Sequence, residues 1–474
     1  MPAKIDLSAA TAESLHLHQT PSNGRKIATT ELAQHNMPSS AWVAVRGKVY
    51  DVTSFLGRHP GGTDVLLFAA GRDATQVFES YHQLKVAATL PKYYIGDLAD
   101  NELPVFPAPS AFFATVKRRV YDHLSARKLD PKVAYSQWTW YAIIYASVAA
   151  SWYYQFFMVT EGWSQWLAAL VLGFFCAQVG LNPLHDASHF TISHSPLVWR
   201  VIGASHDFIN GSSYVVWIYQ HMLGHHPYTN IAGADPDIVT GDPDVRRIKP
   251  SQRWFSHYMY QEWFVPVLYG VLGIKTRIQD VSIMYQAKTN DKIRINPMTT
   301  WHTSVFWLGK LFFLTYRFVV PIVVAQVPVI RTLGLFLVAD LVSSYWLALT
   351  FQANHVVGEC IWPVPNANNE MELDWAEMQL RATQDYAHDS TFWTKATGAL
   401  NYQSCHHLFP EISQAYYPLI TRDVIMPTCK EFNVPYLSLP TFTAALTSHL
   451  VYLKVLGLGE HPVDVANKKG AKAE

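Results

Sequence analysis

Eight of the 21 histidines in this 474-residue chain fall in four short stretches whose spacing suits metal ligation. In "HDASH", His185 and His189 stand at i and i+4, so on a helix their rings leave one face about 6 Å apart. "HMLGHH" repeats that spacing with His221 and His225, and His226 is the next residue round. "FQANH" adds His355, and "QSCHH" adds Gln403, His406 and His407 at i, i+3 and i+4. A lone histidine near an apolar face is ordinarily a hydrogen-bonded residue of the core, but eight on converging elements ask for another reason. Neutral imidazole is a ligand for zinc, copper, iron and nickel. A nitrogen-rich set without thiolates or a dense carboxylate shell argues against magnesium or calcium and for iron, with zinc as the structural competitor. Structural zinc takes four ligands, about half of what is offered, so a dinuclear iron site is the economical expectation. Asp186, Asp235 and Asp237 lie beside these stretches, where they can orient ligating rings or, equally, cap turns such as the one at Pro236.

Ligands so far apart need elements that bring them to one level, and the flanking segments are apolar. "YAIIYASVAASWYYQFFMV" (141–159) and "WLAALVLGFFCAQVGLNPL" (166–184) carry no charge, and about 19 residues span roughly 28 Å as a helix. "SVFWLGKLFFLTYRFVVPIVVAQV" (304–327) contains Lys310 and Arg317, and "LGLFLVADLVSSYWLALTF" (333–351) contains Asp340; for this pair, buried helices of a soluble enzyme are the competing reading. A shorter run, 263–274, is expected to be interfacial or buried. The connections 160–165 and 327–332 are short, so each pair makes a hairpin that returns to the side it left. Segment 185–303 and both terminal parts then share one face, and they carry nearly all the Lys and Arg, which makes that face cytosolic.

Net charge is zero and only 15% of residues are charged, which leaves no basic surplus for nucleic acid. Aromatic residues reach 14%, as suits membrane interfaces. Cys176, Cys360, Cys405 and Cys429 show no CxxC pairing, so neither a disulfide framework nor a thiolate zinc site is expected. Residues 1–26 are polar and read as a disordered lead rather than a signal peptide. The expected fold is a mainly α membrane protein: two transmembrane helical hairpins under a cytosolic helical cap with the metal pair, preceded by a small α+β module.

That module, 27–99, contains "HPGG" at 59–62, then "GRDAT" and "FESYH". It resembles cytochrome b5, the small haem electron carrier. The resemblance implies that His59 and His82 are the axial ligands of a haem b, leaving no open position, so the haem passes electrons rather than binding oxygen. Residues 100–138, with three prolines in "NELPVFPAP", are expected to be a linker leading to the membrane. The body follows at 139–455 and a tail at 456–474.

Module, hairpins and histidine stretches together resemble the front-end fatty acyl desaturases. "GLNPLHDASHF", "YQHMLGHHPYTNIAGADPD", "SSYWLALTFQANHVV", "TQDYAHDS" and "LNYQSCHHLFP" carry a likeness closest to Δ5 desaturases of fungal type, and Gln403 stands where that family's third box has glutamine. The resemblance implies two non-haem irons held by His185, His189, His221, His225, His226, His355, His406, His407 and Gln403, with O2 as co-substrate. It further implies electrons from NADH through a separate cytochrome b5 reductase, in keeping with the absence of a convincing GxGxxG after a strand. The implied substrate is a twenty-carbon polyunsaturated acyl chain, and the implied location the endoplasmic reticulum membrane with both termini cytosolic. Asp385 and His388 are candidates for support of the ligands, for head-group contact, or for a plain solvated loop. A b5-fused Δ6, Δ8 or sphingolipid desaturase, an acyl hydroxylase, and a membrane-anchored haem carrier with structural zinc are the alternatives.

Overall fold

The computed structural model describes residues 24–159 and 161–460; nearly all of the expected lead, and the tail from 461, lie outside the described residues. The module is a five-stranded sheet of β1 (Lys26–Ile27), β2 (Asn36–Met37), β3 (Ser40–Val45), β4 (Lys48–Asp51) and β5 (Tyr94–Leu98), in the order β1-β5-β4-β3-β2. Period-two alternation gives β3 two buried faces. Ala41, Val43 and Val45 join Tyr50, Leu56 and Phe78, while Trp42 and Ala44 join Ile27, Leu32 and Val49. Helices α1 (Thr63–Ala69) and α2 (Thr75–Tyr81) follow, each close to one of the two expected haem ligands.

The stretch expected to be a linker contains a helix whose one face is core. Its prolines keep 101–109 out of helix, but α3 (Ala111–Ala126) starts on a Ser110 cap and buries Phe112, Phe113, Val116, Val120 and Leu124. These pack against Trp375, Met378, Tyr402 and Ile420. The module is likewise seated rather than tethered. Asn296 donates to the Leu67 and Ala70 carbonyls at 2.7 and 2.9 Å, Arg72 donates to the Arg294 carbonyl at 2.7 Å, and Arg200 donates to Asp64 at 2.6 Å. Phe68 enters the core of the cap beside Tyr219 and His302.

The body is built on α4 (Tyr135–Tyr153), α5 (Trp163–Val179), α6 (Pro196–Asn210), α7 (Gln261–Leu268), α8 (Leu272–Val281), α9 (Thr300–Leu314) and α10 (Val329–His355). Among the described residues three helical stretches are long and apolar enough to cross a membrane: Trp163–Ser188, Thr300–Val324 and Val329–His355. The first expected span forms a helix that packs on α5, but it is not among those three. Helices α5 and α10 meet closely, and Gly173 is required there: a Cβ would lie 2.3 Å from the Ala339 carbonyl oxygen. The 263–274 run lies in α7, α8 and the turn between them, with Trp263 and Val267 74% and 64% exposed and Val265 and Tyr269 buried, the two-faced pattern of an interfacial helix.

Candidate metal centre and haem pocket

Each histidine stretch lies where a long apolar helix leaves its span or where a short cap helix meets it. After α5 the chain widens into a π turn, Gly180–Leu184, around Pro183, which has no N–H for the α-helical ladder. His185 follows at once and His189 closes the short helix, with ring centroids 4.8 Å apart. The second stretch is also π-helical, Ile218–His225. An α-helical reading pairs His221 with His225, but the wider turn brings His226 closest: its Nε2 is 3.2 Å from that of His221, and the two ring centroids are 4.5 Å apart against 5.7 Å for His221 and His225. His355 ends α10. Gln403, His406 and His407 lie on α12 (Gln403–Leu408), and α11 (Trp375–Ala382) backs it. Gly398, at φ +64°, lets the preceding loop press against the Leu181 carbonyl, where a Cβ would stand 2.0 Å from the oxygen.

The rings gather into two groups. Donor atoms of His185, His189, His221 and His406 all lie within 4.8 Å of one another, and so do those of His225, His355 and His407. His226 stands between the groups, its Nε2 2.9 Å from that of His406 and its ring stacked on His407 at 4.4 Å. Gln403 belongs with the second group: its Nε2 is 2.8 Å from His355 Nε2 and 3.0 Å from His407 Nε2, while its Oε1 accepts from Asn354 at 2.8 Å. The amide thus lies against the donor nitrogens of the second group.

The ring nitrogens show what the groups can hold. All eight rings are 6% exposed or less, and Nε2 of His185 and of His189 has no hydrogen-bond partner among the described residues. Buried, unpaired nitrogens are costly unless a ligand satisfies them. The donor set is nitrogen-rich and divided in two, so it fits a pair of borderline transition-metal ions rather than magnesium or calcium. Burial and neighbouring imidazoles hold His189, His221, His226, His406 and His407 well below the usual imidazole range, which keeps the rings neutral and able to ligate. His225 is the exception: burial pulls it down, but the Asp235 and Asp237 carboxylates beside it outweigh burial and raise it to about 9. The same two carboxylates would favour a cation at its other nitrogen.

Outer partners fix several rings. His225 Nδ1 faces Asp235 at 3.1 Å; the same carboxylate caps the turn at Pro236 by accepting from Asp237 N at 2.9 Å, so the two sequence readings of Asp235 hold together. Asp237 is 3.6 Å from His225 Nδ1 and accepts from Gln220. Asp186 does not orient a ligand: its carboxylate accepts from Tyr141 and Gln414. Asp385 is fully buried and holds the third stretch by accepting from Ser404 N at 2.8 Å, from His388 at 2.9 Å and from Tyr436; it is neither a solvated loop residue nor a contact of the ligand rings. Three further partners were not expected from the sequence. Gln379 accepts from His407 Nδ1 at 2.7 Å, Tyr417 meets His406 Nδ1 at 3.3 Å, and Tyr81 of the module meets His189 Nδ1 at 2.6 Å. Only Gln379, polar on the apolar face of "WAEMQLRA", offers a cue after the fact.

In the module, His59 and His82 face each other with ring centroids 6.1 Å apart. Two metal–nitrogen bonds of about 2 Å plus the distance from nitrogen to ring centre ask for about 6 Å. His82 Nδ1 donates to the Phe78 carbonyl at 2.9 Å, which turns Nε2 towards His59, and His59 Nδ1 is buried without a partner. Phe55, Phe78, Leu90 and Tyr50 supply an apolar wall. These residues fit a bis-imidazole haem. Burial lowers His59 and brings His82 to about 4, so both rings are neutral near pH 7.

Comparison with known proteins agrees with this geometry. Residues 161–440 match the fatty acid desaturase family, and residues 28–99 match the cytochrome b5-like haem/steroid binding domain. An acyl-lipid (8-3)-desaturase of Mortierella alpina is 57% identical over 439 residues, covering 92% of this chain and 98% of that protein. In Dictyostelium discoideum, an acyl-lipid (8-3)-desaturase B is 39% identical, covering 90% of this chain and 93% of that one, and a Delta(5) fatty acid desaturase A is 37% identical, covering 92% and 94%. With the family match spanning more than half of the chain and relatives aligned along nearly all of it, the chain belongs to the fatty acid desaturase family and carries a cytochrome b5-like domain ahead of its desaturase body.

Proposed function

We propose that this protein is a front-end desaturase that inserts a cis double bond at carbon five of twenty-carbon polyunsaturated acyl chains, converting dihomo-γ-linolenoyl to arachidonoyl and eicosatetraenoyl to eicosapentaenoyl groups. The observation that carries the reading is the convergence of eight buried imidazoles, from four segments, into two adjoining groups at the ends of apolar helices. The carbon-five assignment is supported by likeness to the (8-3)- and Delta(5) desaturases.

In this reading His185, His189, His221 and His406 hold one iron, His225, His355 and His407 the other, and His226 adjoins both. Gln403 lies beside His355 and His407 and completes the second set. When bound, the iron pair supplies the O2-derived oxidising power that removal of hydrogens from an unactivated methylene requires. The chain keeps most of the ligating rings neutral, holds His225 between the Asp235 and Asp237 carboxylates, aims the rings through Asp235, Gln379, Tyr417 and Tyr81, and excludes water around them. His59 and His82 hold the haem that delivers electrons, received from a separate NADH-dependent reductase. Two membrane hairpins in the endoplasmic reticulum, with module and cap on the cytosolic side, would offer the acyl chain an apolar approach, and polar groups at the mouth would hold its head. The proposed units are the b5-like domain at 27–99 and the desaturase body at 139–455.

Expression in a host without polyunsaturates, fed dihomo-γ-linolenate and eicosatetraenoate separately, tests this. Mass spectrometry should locate a new double bond at carbon five. A bond elsewhere, or an inserted hydroxyl, would overturn the regiochemical or the desaturase reading respectively.

A further inference from the structure

Among the described residues, one side chain of the module hydrogen-bonds a histidine of the metal-binding groups. Tyr81 is the last residue of α2 and is bonded through the backbone to His82. Its Oη lies 2.6 Å from Nδ1 of His189, and its ring lies nearly parallel to that imidazole, at 17° and 6.3 Å between centroids. The last turn of α2 is held by Lys117, a buried side chain whose Nζ donates to the Glu79 and Ser80 carbonyls. The other contacts that seat the module, Asp64 with Arg200, Arg72 with Arg294, and Asn296 with the α1 carbonyls, end on residues outside both ligand sets. Among the described residues, the hydrogen bond between Tyr81 and His189 is therefore the one that joins the module to a ligand ring.

We propose that Tyr81 is the coupling residue through which an electron passes from the haem held by His82 to the metal held by His189. The inference rests on the ligand assignments proposed above. A neutral imidazole bound through Nε2 keeps its proton on Nδ1, so His189 donates and the Tyr81 oxygen accepts. The path is then covalent from His82 to the Tyr81 ring and crosses one short hydrogen bond. One electron moves per event: ferrous haem is oxidised to ferric, the receiving ferric ion is reduced to ferrous, and the Nδ1 proton stays in place. Two such events meet the two-electron need of a desaturation that consumes O2. Tyr81 is a positioning residue, since it acts through His189 and touches no substrate.

The test uses the full chain in lipid, with its haem reduced anaerobically and then mixed with acyl substrate and O2. Haem reoxidation is followed optically, and each rate is normalised to the non-haem iron present, so a variant that loses metal is still read. Tyr81→Phe keeps the ring and removes the acceptor; it should slow reoxidation at least tenfold with an unchanged haem midpoint potential. Phe190→Leu, which trims another ring packed on Tyr81, should stay within twofold of wild type. Reoxidation of Tyr81→Phe within twofold of wild type, or equal slowing in both variants, overturns the inference. A wild-type chain lacking a bis-imidazole haem spectrum or non-haem iron overturns the ligand assignments and this inference with them, whereas a loaded wild type with an unslowed Tyr81→Phe overturns this inference alone.

Discussion

The molecule holds two histidine sites built on opposite plans. His59 and His82 come from one small domain, 23 positions apart, and their rings face each other across a single apolar slot. The eight histidines of the body come from four segments spread over 185–407, and no single stretch of chain holds either group. A local site of two rings suits a closed six-coordinate metal that only exchanges electrons. A dispersed site draws its rings from several elements and can leave room for a reactant. The two facing rings of the module come from one domain, while the second site draws on segments from across the body.

The largest expected effect separates the two plans. His226→Ala removes the ring that adjoins both groups, and it should abolish desaturation and strip most non-haem iron while leaving the haem absorbance intact. The loss should exceed the roughly 10- to 100-fold that removal of an outer partner costs. Wild-type iron content in this variant would show that His226 is not shared. His82→Ala is the converse: haem is lost and turnover falls to a small residue, yet metal analysis should find the non-haem iron unchanged. Loss of both metals together would mean that the sites are not independent.

Smaller effects sharpen the contrast. Asp235→Asn removes the negative partner of His225 and should weaken metal retention about 10- to 100-fold, read by competition with a chelator. Asp385→Ala leaves Ser404 N–H and its neighbours without an acceptor and should destabilise the body by about 1–3 kcal/mol in denaturant titration, with the haem domain unaffected. In the haem-free module the pH response has a fixed sign. The folded His82 sits at about 4 while an unfolded histidine titrates near 6.5, so below pH 6.5 the unfolded chain binds more protons. Stability should be flat above that value and fall as pH drops from 6.5 towards 4. A rise over that window would contradict the buried, neutral state of the ring.

How much of this could be read beforehand follows the same division. The haem pair was legible because "HPGG" and "FESYH" are local. The eight converging histidines were legible by type and by their place at the ends of apolar runs, but their grouping was not. An α-helical spacing pairs His221 with His225, and only the π turn makes His226 the nearer neighbour. The partners of the rings were hidden for a further reason: Gln379, Tyr417 and Tyr81 reach the site through tertiary packing and share no spacing with it. Segment 100–138 misled through its prolines. They bound only the first nine residues, and the apolar positions 112, 113, 116, 120 and 124 that follow show helical periodicity and are buried.

The central claim is that histidines distant in sequence form two adjoining metal sites at the level where the apolar helices meet the cap. Anomalous diffraction at the iron edge from crystals of the full chain measures this directly. The account predicts three iron peaks per chain: one between His59 and His82, one within the group of His185, His189, His221 and His406, and one within the group of His225, His355 and His407. A single tetrahedral zinc among the eight histidines, or iron peaks away from them, would contradict it.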